Sequence, residues 1–262
     1  DMHVAWLLGA AALFARSRDA WSGTLLAVFQ PAEETGEGAR AMIDDGLFKR
    51  YPKPDAILAQ HVMVGPAGLL SSRPGVVTSA GDSLQIRMFG RGAHGSMPQA
   101  SVDPVVMAAA TVLRLQTIVS REIAATDAAV VTVGSLQAGT KENVIPDEAV
   151  LKLNVRTFDE SVRARVLASI ARIVDAEAVA SGAPRKPEIT VLDSYSLVRN
   201  DPEATRRVAD ALRRHFPADR VQETQPTTAS EDFGCFGTEW HCPSVFWFVG
   251  GTDPDTYARA KA

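Results

Sequence analysis

The sequence predicts an α/β protein built in two parts: a domain around a buried parallel sheet, and a smaller β-α-β-β-α-β module of ferredoxin-like order inserted into it. Three observations predict this. Short, continuous apolar runs bounded by glycine or proline occur near both ends of the chain, the pattern of parallel strands covered on both faces. Between them, apolar and polar residues alternate as in strands with one wet face. Helical stretches with their own start signals separate the strands. The expected boundaries are 1–79 and 189–262 for the two segments of the larger domain, and 80–188 for the insertion.

Taken in order, the longest apolar run, residues 4–15, is shorter than the ~20 residues that cross a bilayer, and it reads as a core helix. A helix apolar on all sides must be surrounded by other structure, so an upstream portion of the protein is expected. Residues 24–29, between Gly23 and Pro31, read as a buried strand, 36–45 as a helix ended by Gly46, and 55–59 as a second, parallel strand. Residues 83–88 alternate and open the inserted module. Asp103-Pro104 supplies a cap and a first-turn proline for a helix to about residue 120, followed by strands near 129–136 and 148–157. Asp159 caps the next helix, which stops at Ser181-Gly182, and 188–192 is the module's last strand. Asp201-Pro202 starts an amphipathic helix to about Phe216, and residues 243–249 return to the buried-strand pattern.

The 262 residues carry a net charge of -4, and the 27 basic residues are scattered, so no face is built to hold a phosphate backbone. Nucleic acid and membrane are excluded as expected partners. The two cysteines, Cys235 and Cys242, do not make a disulfide framework and are expected as buried structural thiols in a reducing cytoplasm.

Chemistry concentrates at Glu33, Glu34 and His61. The glutamates follow one expected strand and His61 follows the next, and ligands of open α/β sheets bind outside the carboxyl ends of strands. Adjacent glutamates also permit a division of labour, one holding a metal and one moving a proton, which are the two roles that metal-assisted hydrolysis needs.

Asp1-Met-His3 before the apolar helix, Phe29-Gln-Pro-Ala-Glu-Glu34, Gln60-His-Val62 and Ser230-Glu-Asp-Phe233 occur in that order, and together they resemble the aminoacylase, hippurate hydrolase and auxin-conjugate hydrolase group of co-catalytic metallopeptidases. The resemblance implies a zinc-peptidase-like three-layer α/β catalytic domain with an inserted lid or dimerisation domain. It implies Glu33 as general base, Glu34 and His61 as ligands of a divalent metal pair (zinc, manganese or cobalt), and Asp1 behind the ligands, steering them. His94 would reach across a homodimer to stabilise the oxyanion, and Asn143 and Arg156 would bind the substrate, an N-acyl amino acid or a peptide. His3 is read as an ordinary first-turn residue. Departures are also clear: the group's Cys-Gly-His before the position of Asp1 and its His-x-Pro beyond Gly250-Gly251 are absent, so two of five ligands remain and the chain is expected to be truncated at both ends. A catalytically silent homologue acting as a dimerisation module, or a dipeptidase or carbamoylase on the same scaffold, stays open.

Other candidates carry less. Gly90, Gly92 and Gly95 satisfy G-x-G-x-x-G, but Met97-Pro98 follows instead of a helix start and no acidic residue lies about 20 positions on, so a dinucleotide site is rejected. Glu231 and Asp232 read as site-lining acids, with favourable charges before a helix almost as good a reading. His215 is a surface residue.

Overall fold

Three aspartates cap three helices as the sequence predicts: Asp103 accepts from the amides of Val105 and Val106, Asp159 from those of Ser161 and Val162, and Asp201 from that of Ala204. The computed structural model describes residues 2–261. It divides into two compact units, one of residues 1–77, 198–227 and 231–262, the other of residues 78–197 and 228–230.

The first segment of the larger unit holds α1 (Met2–Arg16), α2 (Gly38–Asp44), α3 (Leu47–Arg50), β1 (Ile57–Pro66), β2 (Leu70–Ser72) and β3 (Gly75–Thr78). The inserted unit follows with β4 (Ala80–Phe89), β5 (Ala93–His94), α4 (Pro104–Thr117), β6 (Ala129–Ala138), β7 (Val144–Ile145), β8 (Glu148–Thr157), α5 (Glu160–Ala180) and β9 (Glu188–Tyr195). The chain returns through β10 (Val198–Asn200), α6 (Pro202–His215), β11 (Val221–Glu223), α7 (Gly234–Trp240), β12 (Ser244–Thr252) and α8 (Pro254–Lys261).

In the larger unit the sheet order is β1-β12-β2-β11, with β1 and β12 parallel and Ile57 opposite Ser244. Successive residues of β12 serve opposite faces. Phe246 and Phe248 join Ala39, Leu47, Phe233, Phe236 and Trp240 in a core with α2, α3 and α7, whereas Trp247 faces Val208, Ala209 and Leu212 of α6. Both faces are therefore covered, as the uninterrupted apolar run 245–249 requires. Asn200, buried at the end of β10, locks this arrangement: its amide nitrogen donates to Ser72 Oγ, Arg73 O and Phe246 O, and its Oδ1 accepts from Phe246 N–H at 2.7 Å.

The inserted unit has the antiparallel order β6-β8-β4-β9, the ferredoxin-like arrangement of its β-α-β-β-α-β chain. Leu84, Ile86 and Met88 of β4 and Leu151, Leu153 and Val155 of β8 bury against α4 and α5, while alternate residues face outward. Asp82 also lies on the helix side, where Arg163 binds it with two nitrogens at 2.7 and 2.9 Å and Ser194 Oγ donates to it.

Three expectations are corrected. Residues 24–29 carry no strand, and Leu25, Leu26 and Phe29 stay exposed. An apolar run becomes a strand only when another strand supplies hydrogen-bond partners, and among the described residues β1 takes β12 as its parallel neighbour instead. Second, α1 forms but buries none of its residues, so it is not a core helix among the described residues. Third, β1 continues beyond residue 59, because β12 goes on offering partners: His61 pairs with Phe248 and Val62 with Val249, which places His61 within the strand. No helix among the described residues is long and apolar enough to cross a membrane.

Candidate metal and catalytic site

Glu33 and Glu34 open a single 3-10 turn, Glu33–Thr35, between Ala32 and Gly36, both in left-handed conformation with φ of 51° and 67°. The turn folds back on the start of α2 so closely that a Cβ on Gly38 would lie 1.6 Å from Pro31 O. Only glycine permits that approach. Asp232, from the turn preceding α7, ties the same loop from the other side: its carboxylate accepts from Gln30 Nε2 at 2.6 Å and from the Ala39 amide at 2.9 Å.

These constraints gather acids. Oxygens of Glu33, Glu231 and Asp232 lie within 4.8 Å of one another, with Glu231 and Asp232 buried and Glu33 half-buried. His61 Nε2 stands 3.4 Å from Glu231 Oε1. Burial pushes the Glu231 carboxyl up to about 8, and the charges of Glu33, Asp232 and Glu34 add to that shift. Glu33 is also raised, first by burial and then by Asp232 and Glu34. Burial plus like charge is the signature of a site that gains from a cation, and carboxylate oxygens with an imidazole nitrogen suit a divalent metal ion. The residues present fit such an ion.

His3 is not the ordinary first-turn residue expected. Its Nε2 accepts the Val62 amide at 3.0 Å and its ring centroid lies 4.4 Å from that of His61, and burial followed by His61 lowers its pKa. Glu34 is exposed but acts electrostatically on Glu33, Glu231 and His3. Asp1 lies outside the described residues. Sequence reasoning undervalued Glu231 and Asp232; the Ser-Glu-Asp-Phe motif was the available signal, but nothing in its spacing places it beside Glu33.

The remaining expected site residues belong to the inserted unit. His94 ends β5, paired with Val144 of β7, and the Gly95 amide donates to Asn143 O at 2.8 Å, so His94 and Asn143 sit together. Both are exposed. The Ser96 amide donates to His94 Nδ1 at 3.2 Å, so the neutral ring carries its proton on Nε2. The loop's glycines serve close packing: a Cβ on Gly90 would meet Val102 O at 2.2 Å, and one on Gly92 would meet Ile145 O at 2.8 Å. Arg156 lies on the outward face of β8, half-buried. Cys235 is buried and Cys242 half-buried, both free thiols.

Known proteins resemble this chain over nearly its whole length. The profile of peptidase family M20/M25/M40 matches residues 1–261. The chain is 35% identical to N-acetyl-L-cysteine deacetylase of Bacillus subtilis over 259 residues, covering 97% of this chain and 59% of that protein. It is 34% identical to hippurate hydrolase of Campylobacter jejuni, covering 94% and 63%. Among solved structures it matches the Bacillus subtilis YXEP protein, described as a dinuclear metal binding peptidase from the M20 family, with a TM-score of 0.72 and 26% identity over 98% of this chain and 68% of that one. The chain thus spans about three fifths of the length of the curated relatives it matches.

Proposed function

The chain belongs to peptidase family M20/M25/M40, and from that premise we propose that the protein hydrolyses the amide bond of N-acyl amino acids at a divalent metal site built on Glu33, Glu34, His61, Glu231 and Asp232. The carrying observation is the convergence of three carboxylates within 4.8 Å, with an imidazole nitrogen 3.4 Å from one of them.

In this reading Glu34 and His61 are metal ligands, Asp232 holds the Glu33 loop through Gln30 and Ala39, and Glu231 lines the site beside His61. The chemistry a divalent ion would supply when held there is acidification of water toward neutrality and polarisation of the scissile carbonyl. Glu33 is the proton carrier. Its raised pKa suits a carboxylate that takes a proton from water and gives it to the departing amine nitrogen. His94, protonated on Nε2, donates to the developing oxyanion, and Arg156 and Asn143 hold the amino-acid end of the substrate. The names of the relatives, a deacetylase of N-acetyl-cysteine and a hydrolase of hippurate, support an N-acyl amino acid as substrate.

We extend the proposal to a homodimer formed through the inserted unit, supported by exposed Val191 and Leu192 on its edge strand β9, to a pair of zinc, manganese or cobalt ions, and to a cytoplasmic location.

The test is metal content by mass spectrometry together with hydrolysis of N-acyl amino acids by the protein and its Glu33→Gln variant. The expected result is bound divalent metal in both proteins and a loss of roughly 10²- to 10⁴-fold in rate in the variant. Retained activity in Glu33→Gln overturns the assigned proton carrier. Absence of both metal and hydrolysis in the unaltered protein overturns the enzyme reading and favours a silent dimerisation module.

A further inference from the structure

Two arginines of the inserted unit are held in opposite ways. Arg163 is tied by two nitrogens to the buried carboxylate of Asp82, so its charge is spent inside the fold. Arg156, by contrast, is held only by neutral oxygens among the described residues. Its Nε donates to Asn154 Oδ1 at 2.8 Å, and its Nη1 donates to Ser230 Oγ.

Both acceptors are themselves oriented. Asn154 Nδ2 donates to Ser83 Oγ at 3.3 Å, which turns the amide so that Oδ1 faces the guanidinium. Ser230 Oγ donates its hydrogen to Ser79 O at 3.2 Å, which leaves a lone pair for Nη1. The space for the guanidinium comes from Gly81, directly opposite Arg156 in the β4–β8 ladder. A Cβ there would lie 2.6 Å from Ser230 Oγ and 3.0 Å from Arg156 Nη1.

A guanidinium has five N–H donors. Asn154 and Ser230 take one each, and the remaining three, on Nη2 and Nη1, form an edge that matches a carboxylate bidentately. We infer that Gly81, Asn154 and Ser230 are positioning residues that fix Arg156 while leaving its charge uncompensated, so that the inserted unit selects ligands carrying a free carboxylate over the corresponding neutral amides. This inference rests on the reading of Arg156 as the substrate carboxylate's partner. The neutrality of the two acceptors is the essential part. An aspartate at position 154 would hold the guanidinium equally well and remove the selection.

The experiment titrates N-benzoylglycine and N-benzoylglycinamide calorimetrically into the protein carrying Glu33→Gln, which prevents turnover. The expected result is a preference for the acid of at least about tenfold, abolished by Arg156→Met. Asn154→Asp and Gly81→Ala should each lower that preference about tenfold. Asn154→Asp is expected to keep an unchanged or higher melting temperature, which a purely structural role for Asn154 does not predict; Ser230→Ala is the milder companion should Gly81→Ala fail to fold. If Arg156→Met abolishes the preference and Asn154→Asp leaves it intact, the positioning role is overturned and the reading of Arg156 survives. If the unaltered pair of ligands shows no preference, or Arg156→Met does not change it, the reading of Arg156 falls and the inference with it.

Discussion

His61 Nε2 and Glu231 Oε1 meet at 3.4 Å, one from a strand of the sheet and the other from the turn before α7. The imidazole faces an acid that is buried among three other carboxylates. Such an arrangement is unfavourable for Glu231 as an anion unless positive charge is supplied, and that conflict predicts a dependence on pH and on divalent cations.

In chelator, stability is expected to fall as pH rises from 4.5 toward about 8. Below 4.5 Glu231 is protonated in both states. Within the window the unfolded chain releases the proton that the folded protein still holds, so rising pH favours unfolding, and the loss is complete once the folded group ionises near 8. Urea midpoints followed by circular dichroism at pH 5, 6.5 and 8 check this. Glu231→Gln should flatten the profile, and parallel profiles for the two proteins would sink the assignment.

Gly38→Ala is expected to cost about 1–3 kcal/mol, because the new methyl meets the Pro31 carbonyl and backbone must move on both sides. The displaced loop carries Glu33 and Glu34, so divalent metal affinity should drop about tenfold in the same variant. Calorimetric metal titration beside a thermal melt tests both; a variant with native affinity and melting temperature contradicts the loop geometry.

The Cys235 thiol, pushed up to about 12 by burial and by Asp232, should resist a disulfide reagent at pH 8 on the order of a hundredfold longer than free cysteine. Unfolding in urea should restore the ordinary rate. The linked stability change lies higher, between pH 9 and about 12, where the unfolded thiol ionises first and stability is lost as pH rises. Rapid native labelling of Cys235, identified by peptide mapping, would contradict its burial.

The inserted unit was legible in the sequence because alternation and aspartate caps are local signals: residues 148–157 form a strand over the expected span, and Asp103 and Asp159 each start a helix. Residues 24–29 were not, since an isolated apolar run does not contain the information of which strand will pair with it. His61 was placed beyond a strand because Gln60-His61 is polar, whereas the ladder is decided by β12, which goes on pairing as far as Thr252. Glu33 and His61 stand in motifs that mark them as candidates, but the burial of Glu231 and Asp232 depends on a contact across most of the chain. His3 was misjudged for a similar reason, its partner being the amide of Val62.

The bonds from Asp232 to Gln30 and Ala39 bridge sequence separations of 202 and 193 residues. Closing so long a loop in an unfolded chain is entropically costly, yet β3 and β10, at the entry to and exit from the insertion, are hydrogen-bonded neighbours. A folded inserted unit, whose entry and exit are held side by side, shortens the loop that Asp232 must close, by about 0.6 kcal/mol for each halving of length. The hold of Asp232 on the Glu33 loop therefore draws on the insertion, and a lesion there is expected to loosen the acidic centre without touching any residue of it.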